Sequence, residues 1–267
     1  MGKLGNLLGS AVAEGRVLPA FNVVDPVSMW GVLRGAEAVA MPAIVQVSER
    51  TVDFWGADFF AETFASLRCA VGVEAVLHLD HCRSRNTALA CLEAGWDSVL
   101  ADVSALPFDD AVDATRDLVD AALGFGADVE GEFDPIPSLD AGETTPLSDP
   151  ERCAAFVQRT GVACLAPALG TGHGRPDRKP RVDLELAREI ATATNVPLVL
   201  HGGTGLEWHQ VQAAARSGVA KVNISTALKE KYVDACFSAT GTEPLRLIGR
   251  VRDEVQDLVR EWTEQLR

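Results

Sequence analysis

Residues 75–102 read AVLHLDHCRSRNTALACLEAGWDSVLAD and contain the repeating unit of the fold. An apolar run at Ala75–Asp80 precedes a segment at Arg85–Gly95 whose apolar residues recur at helical spacing, and a second apolar run follows at Ser98–Asp102. Short runs that are apolar throughout are typical of parallel strands buried on both faces, which crossover helices connect. The stretch therefore predicts a strand–helix–strand unit.

The same unit repeats along the chain on both sides of this stretch. The predicted strands are Val17–Val23, Ala43–Val47, Ala75–Asp80, Ser98–Asp102, Asp128–Glu132, Cys164–Ala168, Pro197–His201 and Ala220–Ile224. The predicted helices that follow them are Pro26–Ala40, Ala57–Ala70, Arg85–Gly95, Asp109–Gly124, Asp149–Thr160, Asp183–Thr194, Leu206–Ser217 and Thr226–Thr240. Eight alternating units predict an α/β protein with a closed (β/α)8 barrel, and we expect residues 1–267 to form one domain.

Two further helices are predicted outside the eight units. Lys3–Ala13 precedes the first strand, and Pro244–Leu266 follows the last helix with apolar residues at helical spacing. The apolar face of the trailing helix predicts packing on the barrel or on a second subunit.

Composition excludes several classes of protein. A net charge of -14 argues against a nucleic-acid partner, because phosphate binding relies on clustered Lys and Arg. The chain shows neither a signal peptide nor a stretch long enough to span a membrane, and six scattered cysteines are typical of buried reduced thiols, so we expect a cytoplasmic protein. Basic residues concentrate in RPDRKPR at 175–181, which is either a solvated loop or an anion site.

Three of the five histidines stand at the carboxyl ends of predicted strands: His81, His173 and His201. The carboxyl ends of barrel strands meet at one rim, so these imidazoles can converge although they are far apart in sequence. Three imidazoles leave an open position on a metal ion, as catalytic zinc requires. His78 and His209 are expected to be structural.

Carboxylates accompany these histidines. Asp80 precedes His81 and could transfer a proton beside a metal, or orient an imidazole. Glu130 and Glu132 lie two apart on one face of a strand, where an inward carboxylate needs a cation or a barrel lysine. The same reasoning applies to Asp102.

Two loops have the composition of phosphate sites. HGGTG at 201–205 and KVNIST at 221–226 join strands to helices with little side-chain bulk, so backbone N–H groups can approach an anion. The loops after the seventh and eighth strands are a common phosphate site in such barrels. Helix capping is the alternative explanation for their Ser and Thr residues.

The motifs LHLDH, DVEGEF, LGTGHG, VLHGGTG and KVNIST together resemble the class II fructose-bisphosphate and tagatose-bisphosphate aldolases, in the same order and on the same strands. The segments AFNVV at 20–24 and IVQVS at 44–48 are similar as well. The resemblance covers about residue 3 to about residue 240.

The resemblance implies an enzyme, a zinc-dependent carbon–carbon lyase. It implies reversible cleavage of a phosphorylated ketose into dihydroxyacetone phosphate, or a close analogue, and an aldehyde, through an enediolate that zinc stabilises. Its implied zinc ligands are His81, His173 and His201, with Glu132 in an alternative position, and Asp80 is implied to handle the hydroxyl proton of the aldehyde half.

The resemblance also implies how substrate is bound. The implied phosphate and substrate residues are Gln46, Ser48, Gly174, Gly202, Gly203, Thr204, Asn223, Ser225 and Thr226. It implies a homo-oligomer, dimer or tetramer, and allows a monovalent cation as a second ion.

Three departures from the family pattern concern the substrate. Pro176 and Asp177 replace the usual aromatic residue and lysine, Val103 replaces a glycine, and the mobile-loop motif is reduced to Gly142-Glu143. Arg175, Arg178 or Lys179 could replace the lost cation, and Glu143 is our prediction for the base that exchanges the C1 proton. We therefore expect a ketose other than fructose bisphosphate. The alternatives are a metal-dependent sugar-phosphate epimerase and a catalytically silent sugar-phosphate-binding barrel.

Overall fold

The apolar runs form eight parallel strands in the computed structural model, which describes residues 2–138, 146–174, 181–238, 241 and 243–266. The strands are β1 (Leu18–Asn22), β2 (Ala43–Ser48), β3 (Ala75–Cys82), β4 (Ser98–Asp102), β5 (Asp128–Glu132), β6 (Cys164–Leu165), β7 (Leu198–Leu200) and β8 (Val219–Ile224). Each strand pairs with the next in chain order, and β1 pairs with β8. The predicted closed barrel is therefore confirmed.

Helices cover the outside of the barrel and one of its ends. They are α1 (Lys3–Ala13), α2 (Pro26–Ala38), α3 (Glu49–Trp55), α4 (Ala57–Arg68), α5 (Arg85–Glu93), α6 (Phe108–Phe125), α7 (Pro150–Thr160), α8 (Leu184–Thr194), α9 (Trp208–Ala215), α10 (Thr226–Ser238) and α11 (Pro244–Gln265). The main core lies between the strands and these helices. Among the described residues, none of the helices has the length and apolar character that crossing a bilayer requires.

The leading helix α1 closes the amino-terminal end of the barrel. Leu4 and Leu8 pack in a second core with apolar residues of the strands. The Asp128 carboxylate accepts hydrogen bonds from the backbone N–H groups of Gly2 (2.7 Å) and Gly5 (2.8 Å) at the start of α1. A carboxylate at this position satisfies free N–H groups and complements the helix dipole.

The trailing helix α11 packs on the barrel, against α2, which confirms the first of the two predicted locations. Two glycines of α2 permit the close approach. A Cβ atom on Gly31 would lie 2.8 Å from the Cβ of Val255, and one on Gly35 would lie 2.6 Å from the Cβ of Val259. Any larger residue there would push the two helices apart.

The short helix α3 was not predicted from the sequence pattern. Seven residues give little helical periodicity, and Gly56, with φ of 96°, separates α3 from α4. Contacts with the strand ends hold α3 in place: the Glu49 carboxylate accepts from the backbone N–H groups of Arg83 (3.1 Å) and Ser84 (2.9 Å). The helix forms one wall of the pocket described below.

All six cysteines are free thiols. Four are buried, as expected, but Cys69 is exposed and Cys236 is partly exposed, so burial does not extend to every thiol.

Candidate functional site

A pocket of about 580 Å³ opens at the carboxyl ends of the strands. This volume lies within the range of small-molecule sites, and the location is where barrel enzymes place their active sites. The pocket is lined by residues from the ends of several strands and from α3 and α10: Asn22, Ser48, Glu49, Arg50, Asp80, His81, Arg83, Asp102, Ser104, Glu132, Pro135, Ile136, His173, Gly174, Gly202, Thr204, Asn223, Ser225, Thr226 and Lys229.

Asp80 and His81 both line this pocket although they are consecutive in β3. Neighbouring residues of a regular strand point to opposite faces. Here the pairing of β3 with β4 shifts register between Leu79 and Cys82, and His81 has φ of 49°. A non-glycine residue in this left-handed region costs on the order of 1–3 kcal/mol, which the surrounding structure must offset. The irregularity lets both side chains serve one site.

His81, His173 and His201 come together as the sequence predicts. One ring nitrogen from each lies within 4.8 Å of the others, which is a spacing that one metal ion can bridge. The ring centroid of His81 lies 4.7 Å from that of His173 and 4.6 Å from that of His201. His173 is placed by its backbone N–H, which donates to the carbonyl of Pro137 at 2.8 Å.

Two carboxylates adjoin the histidines. His81, Asp102 and Glu132 form a second group whose ligand atoms lie within 4.8 Å of one another. Glu132 Oε2 lies 3.4 Å from His81 Nδ1 and 3.3 Å from His201 Nδ1. We call the three histidines with Asp102 and Glu132 the rim cluster.

The rim cluster contains buried polar atoms without hydrogen-bond partners, which are His81 Nε2, His201 Nδ1 and Glu132 Oε2. Leaving such atoms unpaired costs about 1–3 kcal/mol each, so a native structure usually provides a ligand for them. Imidazole nitrogens and a carboxylate oxygen are a donor set that Zn²⁺ accepts. The residues present therefore fit a metal ion.

Burial and charge raise the pKa values of two side chains of the rim cluster and lower those of two others. Burial opposes the imidazolium of His81, but Asp80 and Glu132 outweigh it and raise its pKa to about 10. Burial raises the pKa of Glu132 to about 8, against the opposing charge of His81. Burial and the charge of His81 lower the pKa of His173 to about 4, and the same causes lower the pKa of His201 well below its usual value. Without metal, His81 and Glu132 hold protons at neutral pH.

Asp80 is held ionised beside this cluster. Its Oδ2 accepts from Asn22 Nδ2 at 2.7 Å, and its Oδ1 accepts from Asn223 Nδ2 at 3.1 Å. Burial alone would raise the pKa of Asp80, but nearby positive charge, chiefly that of His81, lowers it. Gln46 lies one layer below the pocket surface, fully buried, and its Nε2 donates to Asn22 Oδ1 at 2.9 Å. It therefore supports the residue that holds Asp80.

Asp102 is paired on the side facing solvent. Its Oδ2 accepts from Arg83 Nε at 2.9 Å, and its Oδ1 accepts from Ser104 Oγ at 2.6 Å. These contacts, together with His81, whose Nδ1 lies 3.9 Å from Asp102 Oδ2, outweigh burial and lower the pKa of Asp102. Arg83 was not anticipated from the sequence.

The two glycine- and hydroxyl-rich loops meet at one side of the pocket. Gly202 has φ of 71°, and a Cβ atom on it would lie 2.1 Å from the carbonyl oxygen of Gly172, so only glycine fits. Gly203 packs on β8, where a Cβ atom would lie 2.5 Å from Val222 Cγ2. Thr204 Oγ1 accepts from the backbone N–H of Ala227 at 3.3 Å, which ties this turn to the start of α10.

These constraints bring the predicted phosphate residues together at the helix start. Gly174, Gly202, Thr204, Asn223, Ser225 and Thr226 line the pocket, as does Ser48 across from them. Gly203 is buried behind them.

Besides Arg83, two further cations line the pocket, and neither was predicted from the sequence. Arg50 lies on α3 and Lys229 lies one turn into α10. Burial in the pocket, with the charge of Arg50, lowers the pKa of Lys229 against the opposing effect of Asp80. Lys229 could have been noticed at position 9 of KVNISTALK, on the same helix whose start carries the phosphate motif. Glu143 and the basic residues 175–180 lie outside the described residues.

Below the rim, a second group of polar side chains fills the barrel. Lys221 Nζ lies 2.6 Å from Glu130 Oε2 and 3.4 Å from His78 Nε2, and His78 Nδ1 lies 2.8 Å from Ser98 Oγ. We call Ser98, His78, Lys221 and Glu130 the interior cluster. All four are fully buried. Of the two predicted partners for Glu130, the structure provides a barrel lysine, and His78 is structural as expected.

The barrel and the rim cluster together define the class: a (β/α)8-barrel protein with a candidate metal site at the carboxyl ends of its strands. The family described as fructose-bisphosphate aldolase class-II matches residues 3–267. The chain therefore belongs to the class II fructose-bisphosphate aldolase family, and it is an enzyme, an aldolase of the lyase class.

Similar proteins include several aldolases with different names. A 6-phospho-5-dehydro-2-deoxy-D-gluconate aldolase of Shouchella clausii (strain KSM-K16) is 32% identical over 97% of this chain and 92% of its own length. A probable fructose-bisphosphate aldolase of Bacillus subtilis (strain 168) is 31% identical over 95% of this chain and 93% of its own. Among solved structures, the YdjI aldolase of Escherichia coli K12 superposes with a TM-score of 0.89 at 26% identity, over 99% of this chain and 97% of its own.

Proposed function

We propose that this protein is a zinc-dependent aldolase that reversibly cleaves a phosphorylated ketose into dihydroxyacetone phosphate, or a close analogue, and an aldehyde. One observation carries the proposal. Three imidazoles, two of them with unpartnered buried nitrogen atoms, converge beside an ionised aspartate, in a pocket that the two phosphate-type loops also line.

The metal would be held by His81, His173 and His201, with Glu132 as an alternative ligand. A zinc ion bound there would act as a Lewis acid toward the ketose oxygens and stabilise the negative charge that develops as the carbon–carbon bond breaks. His201 is fully buried and His81 and His173 are partly buried, and limited access of water to a site strengthens such electrostatic stabilisation.

Asp80 is proposed as the proton carrier for the aldehyde half. In cleavage it accepts the proton of the hydroxyl next to the breaking bond, and in aldol addition it returns that proton. Its hydrogen bonds from Asn22 and Asn223 fix both carboxylate oxygens and keep the group ionised, ready to act as a base.

The phosphate of the dihydroxyacetone half is proposed to bind at the start of α10 and the turn after β7. Gly174, Gly202, Gly203 and Thr204, with Asn223, Ser225 and Thr226, provide small residues and hydroxyl groups there. A helix start favours an anion because its N–H groups point outward and its dipole is positive.

The aldehyde half is proposed to end in an anionic group. Arg50 and Lys229 place two positive charges in the pocket, and Lys229, one turn into α10, is close enough to Arg50 and Asp80 for their charges to affect its pKa. Relatives bear the names of aldolases for fructose bisphosphate and for a phosphorylated gluconate, both of which have anionic ends. We expect Lys229→Met to raise the KM about tenfold or more with little change in kcat, measured by steady-state kinetics.

Further predictions from the sequence stay proposals. Glu143 is proposed as the base at C1, and a monovalent cation as a second ion. The protein is proposed to be a dimer or tetramer, to consist of one catalytic domain and to be cytoplasmic. A ketose other than fructose bisphosphate is also proposed.

The test is a screen of anionic and neutral aldehydes with dihydroxyacetone phosphate and with dihydroxyacetone, run with and without zinc. We expect zinc-dependent condensation with the phosphorylated donor only. Turnover that resists a chelator would refute the metal mechanism. Epimerised sugar phosphate without any triose phosphate would favour an epimerase, and weak zinc binding without turnover would favour a silent binding barrel.

A further inference from the structure

The interior cluster contacts the rim cluster at one point. Glu130 Oε1 lies 3.2 Å from His201 Nε2, while Glu130 Oε2 lies 2.6 Å from Lys221 Nζ. His201 therefore has one ring nitrogen facing Glu130 and the other, Nδ1, facing the rim cluster without a hydrogen-bond partner.

The direction of each hydrogen bond follows from the chemistry of the partners. A lysine ammonium only donates, so it donates to Glu130 and to His78 Nε2. His78 then carries its hydrogen on Nδ1 and donates to Ser98 Oγ. Lys221 occupies Glu130 Oε2, and the second carboxylate oxygen, Oε1, is an acceptor that faces His201 Nε2, so the hydrogen of His201 is expected on Nε2.

We propose that Glu130, held by Lys221, is a positioning residue that fixes the tautomer of His201 and so directs the Nδ1 lone pair into the metal site. The inference rests on the proposed metal-dependent function. A hydrogen-bonded carboxylate behind a metal-binding imidazole orients the ring and makes it a better ligand. In this chain the carboxylate that orients His201 lies inside the barrel, below the pocket, where Lys221 contacts it.

The substitution Glu130→Gln tests the direction of these bonds with almost no change in shape. The amide has one acceptor end and one donor end. Lys221 requires the acceptor, so the NH2 group faces His201 Nε2, and the hydrogen of His201 moves to Nδ1. We expect Co²⁺ to bind about 10- to 100-fold more weakly, as followed by its visible absorption.

A second substitution distinguishes positioning from a merely structural role. In Glu130→Gln combined with Lys221→Met, the lysine no longer holds the acceptor end of the amide. His78 Nε2, 3.5 Å from this end, can then accept from the NH2 group, against only a weak thiol contact from Cys164 at 3.8 Å, so the acceptor end can turn to His201. We expect most of the Co²⁺ affinity to return, whereas structural damage would be deepened by a second change. Ser98→Ala is the matched control, because Ser98 belongs to the same buried cluster without contacting His201. We expect it to leave Co²⁺ affinity unchanged.

The tautomer can also be read without metal. Long-range ¹⁵N–¹H correlation spectra of the metal-free wild-type protein, labelled at its five histidines, report which nitrogen of each ring carries hydrogen. We expect His201, assigned through His201→Gln, to carry it on Nε2. Hydrogen on Nδ1 in the wild type, or unchanged Co²⁺ affinity in folded Glu130→Gln, overturns the inference. If the wild type fails to bind Co²⁺, the proposed function is refuted, and the spectra still decide the tautomer.

Discussion

The rim cluster and the interior cluster are built from the same residue types and are both buried in one barrel, yet they differ in how their polar atoms are paired. In the interior cluster, each side chain has a partner at hydrogen-bond distance. In the rim cluster, two imidazole nitrogens and a carboxylate oxygen have none. A paired cluster stabilises the fold, whereas an unpaired one keeps polar atoms free for a ligand.

The largest expected effect comes from removing a rim histidine. His173→Ala should lose zinc and fall to the turnover of chelator-treated enzyme, because two imidazoles do not retain the ion. The metal-free protein should keep its free energy of unfolding, since the lost side chain serves a ligand and not the fold. Metal analysis, kinetics and urea unfolding check this, and a large loss of metal-free stability would contradict the comparison.

The next effect concerns Asp80, the proposed proton carrier beside the rim cluster. Asp80→Asn should lower kcat by about 10²- to 10⁴-fold, the usual contribution of a positioned base, while keeping about one zinc per chain. The amide preserves the shape of the carboxyl group and removes its charge. Turnover close to that of the wild type would remove Asp80 from its proposed role.

Breaking the interior cluster should affect stability instead. Lys221→Met leaves the Glu130 carboxylate buried without its cation, which should lower the free energy of unfolding by about 3–5 kcal/mol in urea titrations of metal-free protein. Lys229→Met is the control, because that lysine is at the open pocket and its loss should change stability by less than about 0.5 kcal/mol. Equal effects would mean that the two clusters do not differ as described.

The smallest effect is a pH dependence of metal affinity. His81, whose pKa is raised to about 10, must lose its proton to bind metal, and Glu132, raised to about 8, must do so when it is a ligand. The Co²⁺ affinity should therefore increase with pH, about tenfold per unit between pH 6 and 8 for the His81 proton alone. Titrations at three pH values check the sign, and an affinity independent of pH would show that His81 is not a ligand.

The sequence predicted most of the fold because its signals are local. Parallel strands buried on both faces have continuous apolar runs, and strands β4 and β5 match their predicted ranges at both ends. The short helix α3 was not predicted, because it has little periodicity of its own. Its position depends on the contact between Glu49 and the backbone just after β3.

The candidate site was predicted in part. Barrel closure alone brings the three histidines to one rim, so their position after strands was enough. The left-handed conformation of His81 depends on how β3 pairs with β4, and no single segment shows it. The partnership of Glu130 with Lys221 joins β5 to β8 across the barrel. The sequence does contain a signal for this pair. Lys221 and Asn223 lie two apart on β8, as Glu130 and Glu132 do on β5, so in each strand both residues point to the same face.

The closure of the amino-terminal end by α1 has a consequence for the order of events in turnover. Leu4 and Leu8 fill that end, and the buried side chains of the interior cluster fill the barrel above it. In the proposed reaction, the substrate therefore reaches the pocket from the carboxyl ends of the strands, and both products leave on the same side. If one product lies beneath the other in this pocket, we expect product-inhibition patterns to show ordered release.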